Sequence, residues 1–272
     1  SRGHILQIRM TLIFIATLFC GTLYAASFCY AIFCALKKRT LENSGFYGIY
    51  SAAVIVQIAL LIFGFYSGAI WLSQFSGLTL SVSCLLAVIC VLMSLFSKNT
   101  AQLFVSSAVC AMFIFAPMLC GVGSFKISQH SGVVLALHGI LAAVSYAFTA
   151  CGAICGLMLL LQARSLQNKS SDAFSRATSP LERLAKLVRF CAYSAFVSMF
   201  SALGLGLVAF AKCADFSALM ILKLCAGSCV LILQFLLAFY CAKNALSGKK
   251  SAWCAILLFI LAMLLLLLVE YR

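Results

Sequence analysis

Charge is scarce in this chain, and negative charge scarcest of all. Of 272 residues only 9% are charged and five are Asp or Glu. A soluble domain has about 25% charged and roughly 45–50% apolar residues, so a composition that is 65% hydrophobic excludes one. The carboxylates Glu42, Asp172, Glu182, Asp215 and Glu270 all lie outside the deep parts of the apolar runs. A proton relay of the transporter kind needs acids within the spans, so that class loses its usual members. No carboxylate pair or Ser/His/Asp set suggests catalysis, and we expect no enzyme activity. There are two prolines, Pro117 and Pro180, and two tryptophans, Trp71 and Trp253, both suited to a membrane interface. Internal repeats, Gly-rich phosphate loops and long polar segments are missing too, which removes the inverted-repeat signature of many secondary transporters.

Cysteine is abundant, with fifteen residues, but none forms a CxxC pair. Without CxxCH the chain is not itself a c-type cytochrome, and no disulfide framework follows from these spacings. Most cysteines, such as Cys84 and Cys90, Cys151 and Cys155, or Cys225 and Cys229, sit inside apolar runs. There a cysteine behaves as a small hydrophobe.

What fills the chain is apolar helix. At roughly 20 residues per crossing, there is room for about eight spans. We expect an all-α, polytopic helical membrane protein in a single integral domain. The spans are expected at about 11–36, 47–71, 78–96, 103–122, 132–162, 190–211, 217–242 and 253–269, with a basic loop at 163–189. The first run is too long for a signal peptide and is followed, not preceded, by its basic cluster, so it reads as a true span. Pro117 is expected to kink the fourth helix or loosen it near one end. Ser179, Pro180 and Glu182 make a capping box that starts a helix ahead of the sixth span. On that helix Leu181, Leu184 and Val188 share one face, while Arg183, Lys186 and Arg189 share the other, as at a membrane surface.

The net charge of +14 comes from residues flanking the apolar runs, where they set orientation and touch anionic headgroups. Nucleic acid is therefore not an expected partner; the lipid bilayer is. Lys37, Lys38, Arg39, Lys98, Arg164, Lys169, Arg176, Arg183, Lys186, Arg189, Lys243, Lys249 and Lys250 follow spans one, three, five and seven, thirteen of the nineteen basic residues. The positive-inside rule makes that side cytoplasmic and puts both termini outside, in a bacterial-type inner membrane. Arg164, Arg183, Lys186 and Arg189 become candidate contacts for a partner or for anionic lipid. The bland reading of that loop is orientation and solvation.

Three histidines occur. His4 is close to a terminus. His138 lies about six residues into the fifth span, and an ionisable residue there is a functional candidate because lipid exposure is costly. Ala142, Ser145, Thr149, Gly152 and Gly156 follow at helical spacing, a stripe of small and hydroxylated side chains that admits a neighbouring helix or a flat ligand. His138 either hydrogen-bonds across a helix interface or ligates haem iron, which a single histidine can do. A zinc site needs several ligands, so no other metal is expected. His130, in the outer connection, is either a solvated loop residue or a second ligand. Lys223, about six residues into the seventh span, either snorkels to the interface or holds an anionic group.

The stretch with Leu137-His138, then Leu159 to Lys169 (LLLQARSLQNK), then SPLERLAKLVRF and a Ser/Gly-bearing span resembles the cytochrome c assembly protein family in its short HemX-like form. The likeness is good from Leu135 to Gly206 and looser from Lys223 to Val269. It implies membrane haem handling, either haem delivery in cytochrome c biogenesis or an accessory role in haem biosynthesis. Partners would be other assembly or haem-biosynthesis proteins. By the same resemblance His138 would be an axial ligand, Ser145 and Thr149 would line the haem pocket, and Lys223 would face a propionate. The chain lacks the tryptophan-rich external segment of haem-presenting members, and Leu222 stands where a second histidine is expected. The resemblance thus implies haem binding or assistance without covalent chemistry. A different reading is a small-molecule permease, for which the Pro117 kink and the small-residue faces leave room.

Overall fold

The computed structural model describes residues 2–37, 44–66, 75–97, 101–119, 133–168, 180–211, 218–243 and 248–270. Within them the chain forms helices and no strand: α1 (Arg2–Leu36), α2 (Ser44–Tyr66), α3 (Phe75–Ser97), α4 (Ala101–Leu119), α5 (Val133–Gln167), α6 (Leu181–Ala211), α7 (Ala218–Ala242) and α8 (Gly248–Glu270). In hydrocarbon every backbone polar group must be satisfied within its own segment, which forces these apolar runs into helices. Hydroxyls join the same scheme. Thr17 donates to the Ile13 carbonyl at 2.7 Å, and Ser81 to that of Gly77 at 2.8 Å.

Among the described residues seven helices are long and apolar enough to cross a membrane, and the chain is a polytopic helical membrane protein. The eighth, α4, has a shorter apolar stretch among its described residues, Ala101–Ala116, yet its contacts carry it through the same layer. Gln102 meets Cys90 and Met93 near the end of α3, while the Cys110 thiol donates to the Ser83 carbonyl near the middle, so α3 and α4 run antiparallel. Leu78 and His138 line one cavity at the starts of α3 and α5, and Cys151 touches Met93 further along, so α3 and α5 run parallel. The chain therefore returns between them, and α4 makes the return. Pro117 falls in the last turn of α4, so the one helical bond it removes, to the Phe113 carbonyl, is lost where few turns remain to be disturbed.

One helix begins earlier than its expected span, and another begins where its cap was expected. α1 is helical from Arg2, through residues whose polarity argued against a span but not against a helix. α6 starts at Leu181, and the Leu184 amide bonds the Pro180 carbonyl. Leu184 and Val188 are fully buried there while Arg183 and Lys186 face outward. Glu182 pairs forward with Lys186 at 2.8 Å; Ser179 and Trp71 lie outside the described residues.

The core is held by small-residue contacts and buried amides. α5 is the most embedded helix, packing on α6 above all and also on α8 and α3, while α1 packs on α2 and α4. Gln57 joins three helices: it accepts from the Tyr24 hydroxyl at 2.7 Å and donates to the Leu80 carbonyl and the Ser83 hydroxyl at 3.1 and 3.0 Å. Tyr50 and Ser106 share a hydrogen bond of 2.9 Å. The outward faces carry Ile15, Phe19, Ile55, Ile62, Val197 and Phe200, all exposed, as lipid requires.

Candidate functional site

His138 sits in the second turn of α5, half-buried, with its Nδ1 2.7 Å from the Ala202 carbonyl of α6. A carbonyl oxygen only accepts, so Nδ1 carries the proton, and in the neutral imidazole Nε2 keeps the lone pair. The ring lies against Gly206, where an added Cβ would stand 3.0 Å from Cε1 and Nδ1. Gly206 is thus the residue that makes room for this imidazole.

The ring lines a cavity of about 240 Å³ between the starts of α3, α5 and α7 and the ends of α6 and α8. Its walls are mostly apolar: Leu135, Ala142, Met199, Leu203, Leu265 and Leu266. The side chains with polar groups are His138 and Tyr146 of α5 and Lys223 of α7. The two ionisable residues picked out within spans five and seven therefore meet in one cavity. This follows from α5 and α7 running parallel, each carrying its charge-bearing residue near its start. The cavity lies at the end of the bundle opposite Lys37, Arg164, Arg183, Lys186 and Lys243.

Ser145 and Thr149 are placed differently. They follow His138 along α5 at helical spacing, but their hydroxyls are buried in the interface with α6 and α7 and do not line the cavity. Ser145 donates to the Ala195 carbonyl at 2.9 Å, Thr149 donates to the Ser145 carbonyl at 2.9 Å, and the Gln234 amide donates to both hydroxyls at 3.1 and 3.0 Å. Further on, Gly152 faces Cys191 of α6, and Gly156 faces the backbone of Ala252 in α8. From Ser145 onward the small-residue stripe packs against α6, α7 and α8, while Ala142 at its start lines the cavity.

The basic end is simpler. Arg164, Arg183 and Lys186 are exposed and Arg189 is half-buried. Lys37 and Lys243 fold back over Phe33 and Phe239, 4.3 and 4.4 Å from the ring centres. His130 and most of the loop between α5 and α6 lie outside the described residues.

Three buried residues were not singled out from the sequence: Gln57, Gln102 and Gln234, each within 1% of full burial. A glutamine inside an apolar run is the signal that marks them, since an amide is tolerated there only with partners.

No protein-family model matches the chain, and neither a curated protein nor a solved structure matches it.

Proposed function

We propose that the cavity between α3, α5, α6, α7 and α8 binds a flat apolar ligand with an acidic edge, haem in the first instance, and that the protein handles haem in cytochrome c assembly or assists a partner that does. The observation that carries this is the meeting of His138 and Lys223 in one cavity, with the imidazole tautomer set by Ala202. Metal-ligating histidines commonly donate their second ring N–H to a carbonyl, which fixes the tautomer and orients the ring. His138 has that arrangement, with Nε2 as the nitrogen able to ligate. The Lys223 ammonium would stabilise a carboxylate, and the apolar walls suit a macrocycle. Ligand sites usually measure roughly 300–1,000 Å³, so a cavity of 240 Å³ would hold one edge of a porphyrin and leave the rest among the helix ends. When bound, haem supplies an iron centre. The chain itself binds, orients and shields, and carries out no covalent step.

An absorption spectrum of the detergent-purified protein titrated with haem tests the reading, beside His138→Ala and Lys223→Gln. The expected result is a shifted Soret band saturating near one haem per chain, lost in the first variant and weakened in the second. Identical spectra for all three proteins would remove the ligand assignment. The second reading, an accessory protein of haem biosynthesis acting through its basic end, rests on the exposed Arg164, Arg183 and Lys186. It predicts that charge reversal there impairs function while His138→Ala does not.

A further inference from the structure

Thirteen residues along α5 from His138, roughly 20 Å at the helical rise, lies a second and independent cluster. Cys90 and Met93 of α3, Cys151 and Cys155 of α5, and Cys191 of α6 converge there, all buried. At their centre is Gln102 of α4, which is fully buried. Its Nε2 lies 3.4 Å from Met93 Sδ, 3.4 Å from Cys151 Sγ, 3.6 Å from Cys155 Sγ and 3.8 Å from Cys90 Sγ. The Cys151 thiol lies 3.4 Å from Met93 Sδ and also touches the thiols of Cys90, Cys155 and Cys191.

Packing alone accounts poorly for this. A cysteine is a good small hydrophobe, and Cys20, for example, simply donates to the Ala53 carbonyl. In the cluster, by contrast, an amide has been brought into a core whose nearest polar atoms are sulfurs, weak acceptors at best. Its Oε1 is buried without a hydrogen-bond partner, which costs about 1–3 kcal/mol. Leucine or methionine at position 102 would fill the space without that cost. An amide N–H pair becomes useful when the sulfurs facing it carry negative charge, as thiolates bound to a metal do.

We propose that this cluster binds a single soft monovalent cation, Cu(I). Mixed thiolate and thioether donors select Cu(I) over harder ions. Two of Cys151, Cys155 and Cys191 bond the ion together with Met93, and the Gln102 amide donates to the thiolates. Each thiol that bonds the ion releases its proton, and the copper enters and stays as Cu(I), so no electron is transferred. One thiolate neutralises the cation. The charge of a second is met by the amide dipole, which matters where the dielectric constant is low. As they stand, no three His, Cys, Asp or Glu side chains among the described residues are set to hold a metal ion. The sulfurs are in contact with one another, Cys151 Sγ and Met93 Sδ at 3.4 Å, and binding would part them to the roughly 4 Å that three metal–sulfur bonds of about 2.3 Å impose. Two features permit that movement: Cys151 and Cys155 are one turn apart on the same face, and a void of about 10 Å³ borders Cys191 and Gly152.

The test uses the full chain in detergent, reduced and without oxygen, in a variant with Cys29, Cys120, Cys213, Cys225, Cys229 and Cys254 changed to serine. That variant leaves the cluster intact. Cu(I) is titrated against a chromogenic Cu(I) chelator, and the loaded protein is measured by X-ray absorption. The expected result is one Cu(I) per chain with a first shell of sulfur only. Gln102→Leu in the same background should weaken binding by about 10–100-fold and Cys151→Ser/Cys155→Ser should abolish it. Failure to compete with the chelator, nitrogen or oxygen in the first shell, or binding indifferent to the Cys151/Cys155 change would each overturn the proposal. The haem titration is read at another wavelength on other residues, so either result stands without the other.

Discussion

At the scale of single residues, the buried polar groups differ in how well they are paired, and that orders their worth. Gln57 satisfies its amide with a hydroxyl donor, a carbonyl and a hydroxyl acceptor on neighbouring helices, whereas Gln234 leaves its Oε1 unpaired. Interhelical hydrogen bonds in membranes are worth about 0.6 kcal/mol each and at most roughly 1.7. Gln57→Leu should therefore cost about 1–2 kcal/mol in detergent-induced unfolding, and Gln234→Leu distinctly less. Equal losses would show that pairing does not set the order. Gly206 has a positional role: a side chain there meets the His138 ring at 3.0 Å. Gly206→Val should dislodge the imidazole from the Ala202 carbonyl with little change in unfolding and, on the proposed haem-binding reading, lower haem affinity by about 10–100-fold. His138 and Lys223 were legible in the sequence because an ionisable residue inside an apolar run is conspicuous. Their meeting was not, because it depends on which helices are neighbours. Ser145 and Thr149 were legible as a stripe but not as to what they touch: a stripe at helical spacing marks a face, and that face belongs to α6 and α7.

Among the elements, the closest approach is made by glycine. A Cβ at Gly156 would stand 2.9 Å from the Ala252 carbonyl oxygen and 3.2 Å from its Cα, both backbone atoms that cannot rotate away. Gly156→Ala should push α8 off α5 and cost about 1–3 kcal/mol, as overpacking does. Gly48 in α2 is exposed and meets nothing within 4 Å. Gly48→Ala should be neutral or stabilise by about 0.5–1 kcal/mol through helix propensity. Parallel unfolding curves of the two variants decide the matter, and equal shifts would show that close approach is not what Gly156 provides. Helix positions were readable from composition because hydrocarbon leaves the backbone no alternative. The start of α6 was readable from Pro180 and from the alternation of Leu184 and Val188 with Arg183 and Lys186. Crossing partners were not readable, since lipid-facing and helix-facing residues are equally apolar and no hydrophobic contrast separates them.

For the whole molecule, alternation of the helices fixes relative topology, and the distribution of charge proposes the absolute one. α3 and α4 are antiparallel and α3 and α5 parallel, so the stretch holding α4 returns the chain even though its described apolar part is short. Nineteen residues at the helical rise make roughly 28 Å, close to the hydrocarbon thickness of about 30 Å. If α4 crosses, the basic ends of α1, α5 and α7 share one side, and the positive-inside rule makes it cytoplasmic. The cavity of His138 and Lys223 then opens towards the outer face, where a ligand carried across the membrane would be received or handed on. Single cysteines introduced at Arg183 and at His130, in a background without exposed cysteines, should separate cleanly under a membrane-impermeant thiol reagent. The cysteine at 130 should react in intact cells, and the one at 183 only after the membrane is opened. If the pattern is reversed, with 183 reacting in intact cells and 130 only after the membrane is opened, α4 does not cross. The parity of the chain then changes: the two ends of α5 stay in opposite compartments but exchange them, so the basic end of α5 would lie on the side opposite to Lys37, against the positive-inside rule.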